Sequence, residues 1–471
     1  MTIQFGTDGW RGVIAQDFTF EGVRACAQAT ADYLQQGGRA GQGVVIGYDT
    51  RFASEDFAAA AAEVLAANGV KAFLCSRPTP TPVTVFGLLE KAAGAAIIIT
   101  ASHNPHRYNG FKLREHDGTA LSPKAASRIE ALASAALAQS TPPLPLAEAT
   151  SRGLVELYDP RSTYQTRLAS LVDVERLRRN SLKVVVDPMY GAGLGYLSEL
   201  LSGGQIQLSH IHQECNPNFP GLSPEPIAPN LTPLGAAVRR RHASMGLATD
   251  GDADRVGVVD ENGQPLSAPE VFSLLALYYL EFRGQRGPII RSLPSTAMLD
   301  KLGDSFGIPV SKTPVGFKHI APLMLSEDAL LGGEESGGYG FRGHVPERDG
   351  IMASLCFVDM VVTTGKPLSA LVDYLYQKVG RHCYKRQDIH FSPSLRDEAR
   401  QRLVEAYPAT LDGVSVDSKD TQDGFYFLMT DGSWLLIRFS GTEPLMRIYA
   451  ESTLPEQVDR LLASGKRLAG V

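Results

Sequence analysis

Short apolar runs alternate with longer helix-like stretches through the first third of the chain. Residues 44–47, 70–74 and 95–99 are brief and mostly apolar, as buried strands are. The alanine-rich stretch at about residues 55–68 has the length of a helix and stops at an Asn-Gly pair. Alternation at this spacing predicts an α/β unit with a mixed or mostly parallel sheet.

Two further α/β units follow a proline-rich stretch at residues 141–145, which looks like a linker. Their predicted elements are strands at residues 184–186, 246–248, 288–290 and 329–331, and a core helix at residues 271–282. Three successive units of this kind suggest an old structural repeat, although the sequence itself shows no strong repeat.

The C-terminal part of the chain has a different pattern. Residues 434–438 and 446–450 predict strands of a small sheet, and an amphipathic helix is expected at about residues 455–468. We therefore predict three similar α/β domains with mixed sheets and a smaller C-terminal α+β domain. The predicted limits are 1–146, 147–262, 263–380 and 381–471.

Composition and charge exclude several classes of protein. The chain has 471 residues, of which 44% are hydrophobic and 20% are charged, and its net charge is −6. These values are typical of a soluble globular protein and favour neither nucleic acid nor membrane as a partner. The most apolar segment, residues 271–282, is too short to span a bilayer.

Cysteine usage and the N-terminus bear on the cellular compartment. The five cysteines are scattered and form no Cys-x-x-Cys pair, so we expect neither a disulfide framework nor a zinc site. The first six residues contain no basic region followed by an apolar stretch, as a signal peptide would. A reducing cytosol fits best, and we predict a cytoplasmic protein.

The first candidate for chemistry is Ser102, in the segment Thr-Ala-Ser-His-Asn-Pro at residues 100–105. The predicted strand 95–99 precedes it, and Asn104-Pro105 breaks the pattern after it. Ser102 therefore lies where a strand ends and a loop begins. In open α/β sheets, ligands bind at that end of the strands.

The second candidate is a run of alternating carboxylates, Asp250, Asp252 and Asp254. In an extended loop they can converge on one point, and hard oxygen ligands in small number suit Mg²⁺. A solvated acidic turn is the plain alternative. An EF-hand is disfavoured because Arg255 occupies the place of its glycine and residues 256–259 predict a strand.

Together the serine loop and the carboxylates favour phosphoryl transfer. The chain has no Gly-x-Ser-x-Gly elbow, and a Ser-His-Asp hydrolase has no use for Mg²⁺. A serine phosphate ester carries about −2 charge. A cation at its oxygen would neutralise the developing charge, and the chemistry then becomes positioning plus electrostatics.

Five segments, in order, resemble the signature segments of the α-D-phosphohexomutase family, which includes phosphoglucomutases, phosphomannomutases and phosphoglucosamine mutases. The segments are residues 5–12, 100–105, 250–255, 332–338 and 438–444, and they span the whole chain. The resemblance implies four domains around a central cleft. It also implies that Ser102 is the residue phosphorylated in the resting enzyme.

The resemblance assigns further roles around Ser102. Asp250, Asp252 and Asp254 match the three ligands of one Mg²⁺, with the phosphoserine oxygen completing the site. Lys112 matches the proposed general acid/base of the family, although a lysine near phosphate can also act purely as a point charge.

Three more residues near Ser102 match positions that face the phosphoryl group. Arg255 and His103 match positions that line the transferring phosphate, although His103 could instead be a loop histidine that fixes the turn. Arg11 matches a position that faces the phosphoserine.

Two further loops match parts of the family that bind substrate. Glu334 and Ser336 match the sugar-contacting loop, where a carboxylate and a hydroxyl between glycines suit recognition of vicinal hydroxyls. Arg438, Ser440, Gly441 and Thr442 match the loop that holds the distal phosphate, since a guanidinium, two hydroxyls and free backbone N–H groups suit an anion. Lys318 and Arg348-Asp349-Gly350 also resemble family loops of the third domain.

One departure bears on the substrate. Many members that act on both glucose and mannose phosphates, and the glucosamine enzymes, end the sugar loop in Ser-Gly-His, whereas this chain has Ser336-Gly337-Gly338. Its Glu-Glu-Ser form resembles that of glucose-preferring phosphoglucomutases. We therefore expect interconversion of glucose 1-phosphate and glucose 6-phosphate through a hexose 1,6-bisphosphate that also serves as primer, with mannose phosphates as further substrates.

Other functions remain open at this point. A glucose-1,6-bisphosphate synthase would use the same site, and a phosphomannomutase would differ only in the preferred sugar. A sugar-phosphate sensor need not keep Ser102, Lys112 and three aspartates, and a metal-dependent phosphatase would release free phosphate. The expected partner is a small hexose phosphate, and the chain is expected to be a monomer or homodimer.

Overall fold

The first sheet consists of four parallel strands extended at one side by two antiparallel strands. The computed structural model describes residues 3–6, 8–138, 141–390, 395–439 and 445–471. The strands are β1 (Trp10–Val13), β2 (Val44–Tyr48), β3 (Ala72–Cys75), β4 (Ala95–Ile99), β5 (Tyr108–Glu115) and β6 (Val155–Tyr158). Their order is β1-β5-β4-β2-β3-β6, in which β1 and β5 form the antiparallel side. The helices of this domain are α1 (Phe20–Gln36), α2 (Ser54–Ala67), α3 (Thr81–Glu90), α4 (Pro123–Ala138) and α5 (Leu146–Ser151).

The second and third sheets repeat this plan with four strands each. The second domain contains α6 (Arg161–Leu171), α7 (Val174–Arg178), β7 (Lys183–Asp187), α8 (Tyr196–Leu201), β8 (Gln207–His210), α9 (Thr232–Arg241), β9 (Met245–Thr249) and β10 (Val256–Val259). The third contains α10 (Ala268–Leu277), which continues as a π turn, β11 (Ile289–Ser292), α11 (Met298–Phe306), β12 (Val310–Thr313), α12 (Phe317–Ser326), β13 (Leu331–Gly333), β14 (Tyr339–Phe341), α13 (Gly350–Thr364) and α14 (Leu368–Val379). The strand orders are β10-β9-β7-β8 and β12-β11-β13-β14.

The three predicted functional loops occupy the same place in their sheets. In each sheet, a parallel strand is followed by a loop and then by an antiparallel partner. The pairs are β4 with β5, β9 with β10, and β13 with β14. The loop of Ser102, the loop of Asp250 and the loop of Glu334 join these pairs, so the suggested structural repeat also repeats the position of the site.

In its described residues, 381–390, 395–439 and 445–471, the fourth domain is a wholly antiparallel sheet with two helices. Its strands are β15 (Cys383–His390), β16 (Thr410–Leu411), β17 (Val414–Asp420), β18 (Phe425–Met429), β19 (Trp434–Phe439) and β20 (Leu445–Ser452), and its helices are α15 (Arg396–Glu405) and α16 (Pro455–Ala469). The order is β15-β20-β19-β18-β17-β16. The predicted fold class, three α/β domains with mixed sheets and a smaller α+β domain, is confirmed.

Hydrophobic packing joins the domains unequally. The second and third domains share one cluster of buried side chains, because α13 packs against both β9 and β10 of the second sheet. The first domain has its own cluster, and so does the fourth, in which α16 covers one face of the sheet. A small cluster around Leu293 joins the third domain to the fourth.

The proline-rich stretch at residues 141–145 connects two helices of the first domain and not two domains. The Leu144 and Leu146 N–H groups donate to the main-chain oxygen and the carboxylate of Glu63, at 3.1 and 3.0 Å, which fastens the stretch to α2. The chain then forms β6, which pairs with β3 in the first sheet although it follows residue 146. The domain limits at 146, 262 and 380 stay predictions.

Two other expectations concern helices and thiols. Among the described residues, no single helix is long and apolar enough to cross a membrane; only α13 and α14 together, bent by 85°, pass a test of length and composition. Most of α13 is buried inside the protein. The five cysteines are all free thiols.

Candidate active site

The Ser102 loop is held in place by a buried arginine at the end of the neighbouring strand. Arg51 follows β2 and donates from Nη2 to the main-chain oxygens of Ser102 and Asn104, each at 2.6 Å. Its Nε binds the Asp49 carboxylate at 3.0 Å, and Asp49 in turn accepts from the Thr100 hydroxyl at 2.6 Å. Arg51 and Asp49 were missed from the sequence; the signal was a charged pair directly after a buried strand parallel to β4.

The Ser102 hydroxyl points at the carboxylate loop of the second domain. Ser102 is 1% exposed and has a left-handed backbone with φ of 53°. Its Oγ donates to Asp250 Oδ2 at 2.9 Å and lies 3.4 Å from His103 Nδ1. The two loops approach so closely that a Cβ on Gly251 would lie 2.5 Å from the Ser102 main-chain oxygen. Glycine is therefore required there by contact between domains.

Asp250, Asp252 and Asp254 are brought together as predicted. Each is fully buried, and one oxygen from each lies within 4.8 Å of the others. Burial and the charges of the other two raise the pKa of Asp250 well above its usual value. Burial and the Asp252 charge also raise the pKa of Asp254, although Arg348 opposes that change.

The chemistry of this cluster fits a hard divalent cation. Asp252 Oδ1 and Asp254 Oδ1 are buried oxygens without a hydrogen-bond partner among the described residues. Oδ2 of Asp252 accepts from the Thr81 hydroxyl at 2.6 Å. Buried carboxylates in this number are costly unless a cation compensates them. An octahedral ion such as Mg²⁺ takes a few carboxylates and leaves positions for phosphate and water.

A glycine-rich turn after β7 packs against the main chain of the carboxylate loop. The Ala192 N–H donates to the Gly251 oxygen at 2.9 Å, and a Cβ on Gly191 would lie 2.7 Å from that same oxygen. The residues around Gly191 therefore form a tight turn that ends in α8. This turn positions the candidate metal ligands through the main chain.

Lys112, on β5, is buried between the first and second domains. Its Nζ lies 2.7 Å from Asp252, 3.0 Å from Asp8 and 3.4 Å from Asp254. Burial alone would lower its pKa, but the carboxylates of Asp252, Asp8 and Asp254 raise it above the ordinary range. In this arrangement the ammonium is a fixed positive charge beside the carboxylate cluster.

Arg11, Arg255 and His103 complete the surroundings of Ser102. Arg11 Nη1 donates to Asn104 Oδ1 at 2.6 Å, and Arg255 Nη1 lies 3.4 Å from Glu225 Oε1. Burial lowers the pKa of His103 well below its usual value, and the charges of Arg255, Arg11, Arg51 and Lys112 lower it further. His103 is therefore a neutral imidazole among cations, and those cations suit a phosphate dianion.

Arg348, after β14, is the point at which three domains meet. Its guanidinium lies 2.9 Å from Asp8 of the first domain, 2.8 Å from Asp254 of the second and 3.5 Å from Glu334 of the third. Arg114 adds contacts with Asp8 at 2.7 Å and with Glu347 at 2.6 Å. Arg348 was already assigned to a family loop by the resemblance. The sequence also offered signals for Asp8, which lies inside the first segment, and for Arg114, two residues after Lys112 on the same strand face.

The loop between β13 and β14, the predicted sugar loop, places Glu334 against this network. Glu334 accepts from the Gly316 N–H at 3.0 Å, and burial raises the pKa of its carboxyl to about 7. Ser336 is half-buried in the same loop, which bonds to the second domain through the Val256 N–H and the Gly337 oxygen at 3.0 Å. A Cβ on Gly338 would lie 2.4 Å from Arg348 Cδ, so the absence of a side chain there lets Arg348 reach its carboxylates.

The remaining predicted substrate residues lie on the third and fourth domains. Lys318, at the start of α12, lines a cavity of about 260 Å³ together with Asp8 and Arg114. Arg438, near the end of β19, donates from Nη2 to Asp423 Oδ1 at 2.8 Å. Ser440, Gly441 and Thr442 lie outside the described residues.

Comparison with known families agrees with this division of the chain. Family models described as phosphoglucomutase/phosphomannomutase match four segments in order. Alpha/beta/alpha domain I matches residues 2–139, domain II residues 162–263, domain III residues 269–379 and the C-terminal domain residues 396–464.

Curated relatives and solved structures match over nearly the full length. A phosphoglucomutase/phosphomannomutase of Thermococcus kodakarensis is 31% identical over 468 residues, covering 98% of each chain. A protein of Methanosphaera stadtmanae named as a phosphoglucosamine mutase is 33% identical, covering 97% of this chain and 96% of the other. A crystal structure from Thermus thermophilus, described as a phosphomannomutase, has a TM-score of 0.87 and 36% identity, covering 100% of each chain.

Proposed function

Because the chain belongs to the phosphoglucomutase/phosphomannomutase family of phosphohexomutases, an isomerase family, we propose that it interconverts glucose 1-phosphate and glucose 6-phosphate. We propose phosphorylated Ser102 as donor and acceptor, with glucose 1,6-bisphosphate as intermediate and primer. The observation that carries this proposal is the Ser102 hydroxyl, which lies 2.9 Å from Asp250 in a cluster of three buried carboxylates.

The proposed reaction consists of two phosphoryl transfers, the first from Ser102 to the sugar and the second from the sugar back to Ser102. A sugar hydroxyl attacks the phosphorus of phosphorylated Ser102, so that the P–O bond to the sugar forms and the P–O bond to Ser102 breaks. The bisphosphate then reorients, and the Ser102 hydroxyl takes the other phosphoryl group. In each step one hydroxyl loses a proton and one oxygen gains a proton.

Two side chains are candidates for moving that proton. His103 is neutral and its Nδ1 lies 3.4 Å from Ser102 Oγ, within reach after a small adjustment. Lys112 is charged and tied to three carboxylates, which favours a role as a positive charge beside the transferring group. A change at either position therefore tests a different step.

Charge around the transferring group supports phosphoryl transfer over other chemistry. Asp250, Asp252, Asp254 and the phosphoserine oxygen would hold Mg²⁺. The bound ion would neutralise charge on the phosphoryl group. Arg11, which binds Asn104 of the Ser102 loop, and Arg255, which lies beside Asp254, would orient the phosphoryl oxygens.

The other loops would recognise the rest of the substrate. Glu334 and Ser336 would bind sugar hydroxyls, and Lys318 would lie near the sugar phosphate. Arg438 with Ser440, Gly441 and Thr442 would hold the phosphate that is not being transferred. Reorientation requires a cleft that accepts both ends of the sugar, which explains why these loops come from different domains.

The preferred sugar is the finer part of the proposal. Gly338, in place of the histidine of dual-specificity relatives, favours glucose phosphates. Relatives of this chain are named for glucose, mannose and glucosamine phosphates, so these three sugars are the ones to compare. A glucose-1,6-bisphosphate synthase would use the same Ser102 and would release the bisphosphate.

The test is a coupled assay of glucose 1-phosphate conversion with Mg²⁺ and a trace of glucose 1,6-bisphosphate. Mannose 1-phosphate and glucosamine 1-phosphate serve as second substrates. Ser102→Ala should abolish turnover, whereas Ser134→Ala, an exposed serine on α4, should not change it. No turnover by folded, phosphorylated wild type would contradict the mutase function, and net release of bisphosphate from another phosphoryl donor would favour the synthase.

A further inference from the structure

Asp423, in the turn between β17 and β18, touches both the fourth domain and the third. Its Oδ1 accepts from Arg438 Nη2 at 2.8 Å, and its Oδ2 accepts from the Val315 N–H at 2.6 Å. Arg438 lies near the end of β19, whereas Val315 lies in the third-domain loop between β12 and α12. One carboxylate thus joins the arginine of the proposed phosphate loop to another domain.

The loop that receives Asp423 also holds the sugar loop. The next N–H along the chain, that of Gly316, donates to Glu334 Oε1 at 3.0 Å. Glu334 Oε2 lies 3.5 Å from Arg348, and Arg348 lies 2.8 Å from Asp254. Hydrogen bonds and ion pairs, linked by the main chain between Val315 and Gly316, therefore connect Arg438 to the carboxylate cluster.

Local structure prepares Asp423 for this position. The Gln422 N–H donates to Asp420 Oδ1 at 2.8 Å and closes the turn. Gly424 has φ of 103°, and a Cβ there would lie 2.6 Å from Arg438 Cγ. The glycine lets the Arg438 side chain lie across the turn, where its guanidinium meets Asp423.

We propose that Asp423 is a positioning residue: it orients Arg438 for the distal phosphate and couples the contact between the fourth and third domains to the sugar loop. The proposal rests on the proposed function, because Arg438 is its phosphate ligand there. Without Asp423, Arg438 would lose its orientation, and the arrangement in which the fourth domain contacts the third would be less populated. Apparent affinity falls in proportion to the fraction of protein in the binding-competent state.

Two measurements test the proposal on Asp423→Ala, with Asp417→Ala on the exposed side of β17 as the matched control. The first is hydrogen–deuterium exchange of the peptide covering residues 313–318, with Mg²⁺ and without substrate. Loss of the acceptor for the Val315 N–H should speed exchange there by about tenfold or more. The second is steady-state kinetics, in which KM for the sugar phosphate should rise about tenfold while kcat changes less than about threefold.

The two measurements separate positioning from general damage. A merely structural role would lower the active fraction, and so kcat, without raising KM. If residues 313–318 of the variant exchange at the control rate, the contact between Asp423 and the Val315 N–H does not hold the two domains together, and that part of the proposal, the tether, is overturned. An unchanged KM would overturn the coupling to substrate. Asp423→Asn, which keeps the shape and one acceptor oxygen, should give smaller changes of both kinds and replaces Asp423→Ala if that variant does not fold. Wild type without turnover would contradict the mutase function, and exchange would then decide the tether alone.

Discussion

The contact among the first three domains and the contact between the third and fourth domains are built from different interactions. In the first, Arg348 meets the carboxylates of Asp8, Asp254 and Glu334, all largely buried. In the second, Asp423 and Glu451 each accept from a third-domain main-chain N–H, at Val315 and Ala297, beside the apolar cluster of Leu293.

The two contacts differ in what their separation would cost. Separating the first three domains would strand buried charges, which is costly in a low dielectric. Separating the fourth domain would expose a small apolar patch and carboxylates and N–H groups that water can satisfy. We therefore expect the charged centre to stay fixed while the fourth domain opens for substrate exchange.

Arg348→Met should give the largest effect, because it removes the cation that carboxylates of three domains share. Methionine keeps the apolar stem, so the variant tests the charge and not the packing. The variant leaves carboxylates of three domains without their partner, so the free energy of unfolding should fall by about 3–5 kcal/mol. Urea unfolding checks this, with Arg240→Met on the exposed face of α9 as control. A loss as small as that of the control would mean that the charged contact does not hold the domains together.

The pH dependence of stability at Glu334 should be the next largest. Its pKa is raised from 4.5 to about 7, so between these values the folded protein keeps a proton that the unfolded chain has released. The stability that protonated Glu334 contributes is fully present below pH 4.5 and is lost as the pH rises through about 7. From about pH 5 to about pH 8, wild type should lose about 2–3 kcal/mol more unfolding free energy than Glu334→Gln. Parallel profiles would place the carboxyl outside the buried network.

Asp250→Asn should separate function from stability in the carboxylate cluster. Folding raises the pKa of the Asp250 carboxyl, so at pH 7 and without Mg²⁺ it costs the folded protein free energy to keep that carboxyl either ionised or protonated. The neutral amide avoids that cost, and the free energy of unfolding should rise by about 1–3 kcal/mol. Added Mg²⁺ should stabilise wild type by mass action and stabilise the variant much less. Thermal unfolding with EDTA and with Mg²⁺ checks both statements. An equal Mg²⁺ effect on both proteins would contradict a metal site at these aspartates.

Leu293→Ala, at the contact with the fourth domain, should have the smallest effect. The side chain packs with Tyr426, Trp434, Leu436 and Tyr449 at a domain boundary that can relax. We expect a loss of about 1–2 kcal/mol, at or below the low end for buried leucines. Leu325→Ala, half-exposed on α12, is the control. A loss as large as that of Arg348→Met would remove the contrast between the two contacts.

Local pattern was enough to predict much of the fold and the positions of the loops. Strand β4 and strand β10 have the limits that their apolar runs predict, and Ser102 and Asp250 follow strands as expected. These segments are contiguous, so their chemistry is visible from neighbouring residues. The proline-rich stretch shows where local pattern fails. It lies within the first domain and not between domains, because its N–H groups bond to Glu63 on α2, far away in the sequence.

The contacts that organise the site were harder to predict than the residues. Arg348 and Asp8 are 340 residues apart in the chain, and Arg51 meets Asn104 across 53 residues. No periodicity links such pairs, since their contact depends on how whole domains pack. Arg438 was named from its motif, but its partner Asp423 could not be predicted for the same reason.

The sequence was enough to predict many of the strands, the segments that form the three loops and the residue types that can bind a phosphate, because these depend on neighbouring residues. The folded structure was needed to show which charges share a buried space, that the pKa values of Asp250 and Lys112 are raised there, and that Arg348 contacts carboxylates of three domains. The physical reason is that electrostatic energies depend on distance and burial, and both are set by residues far apart in the chain.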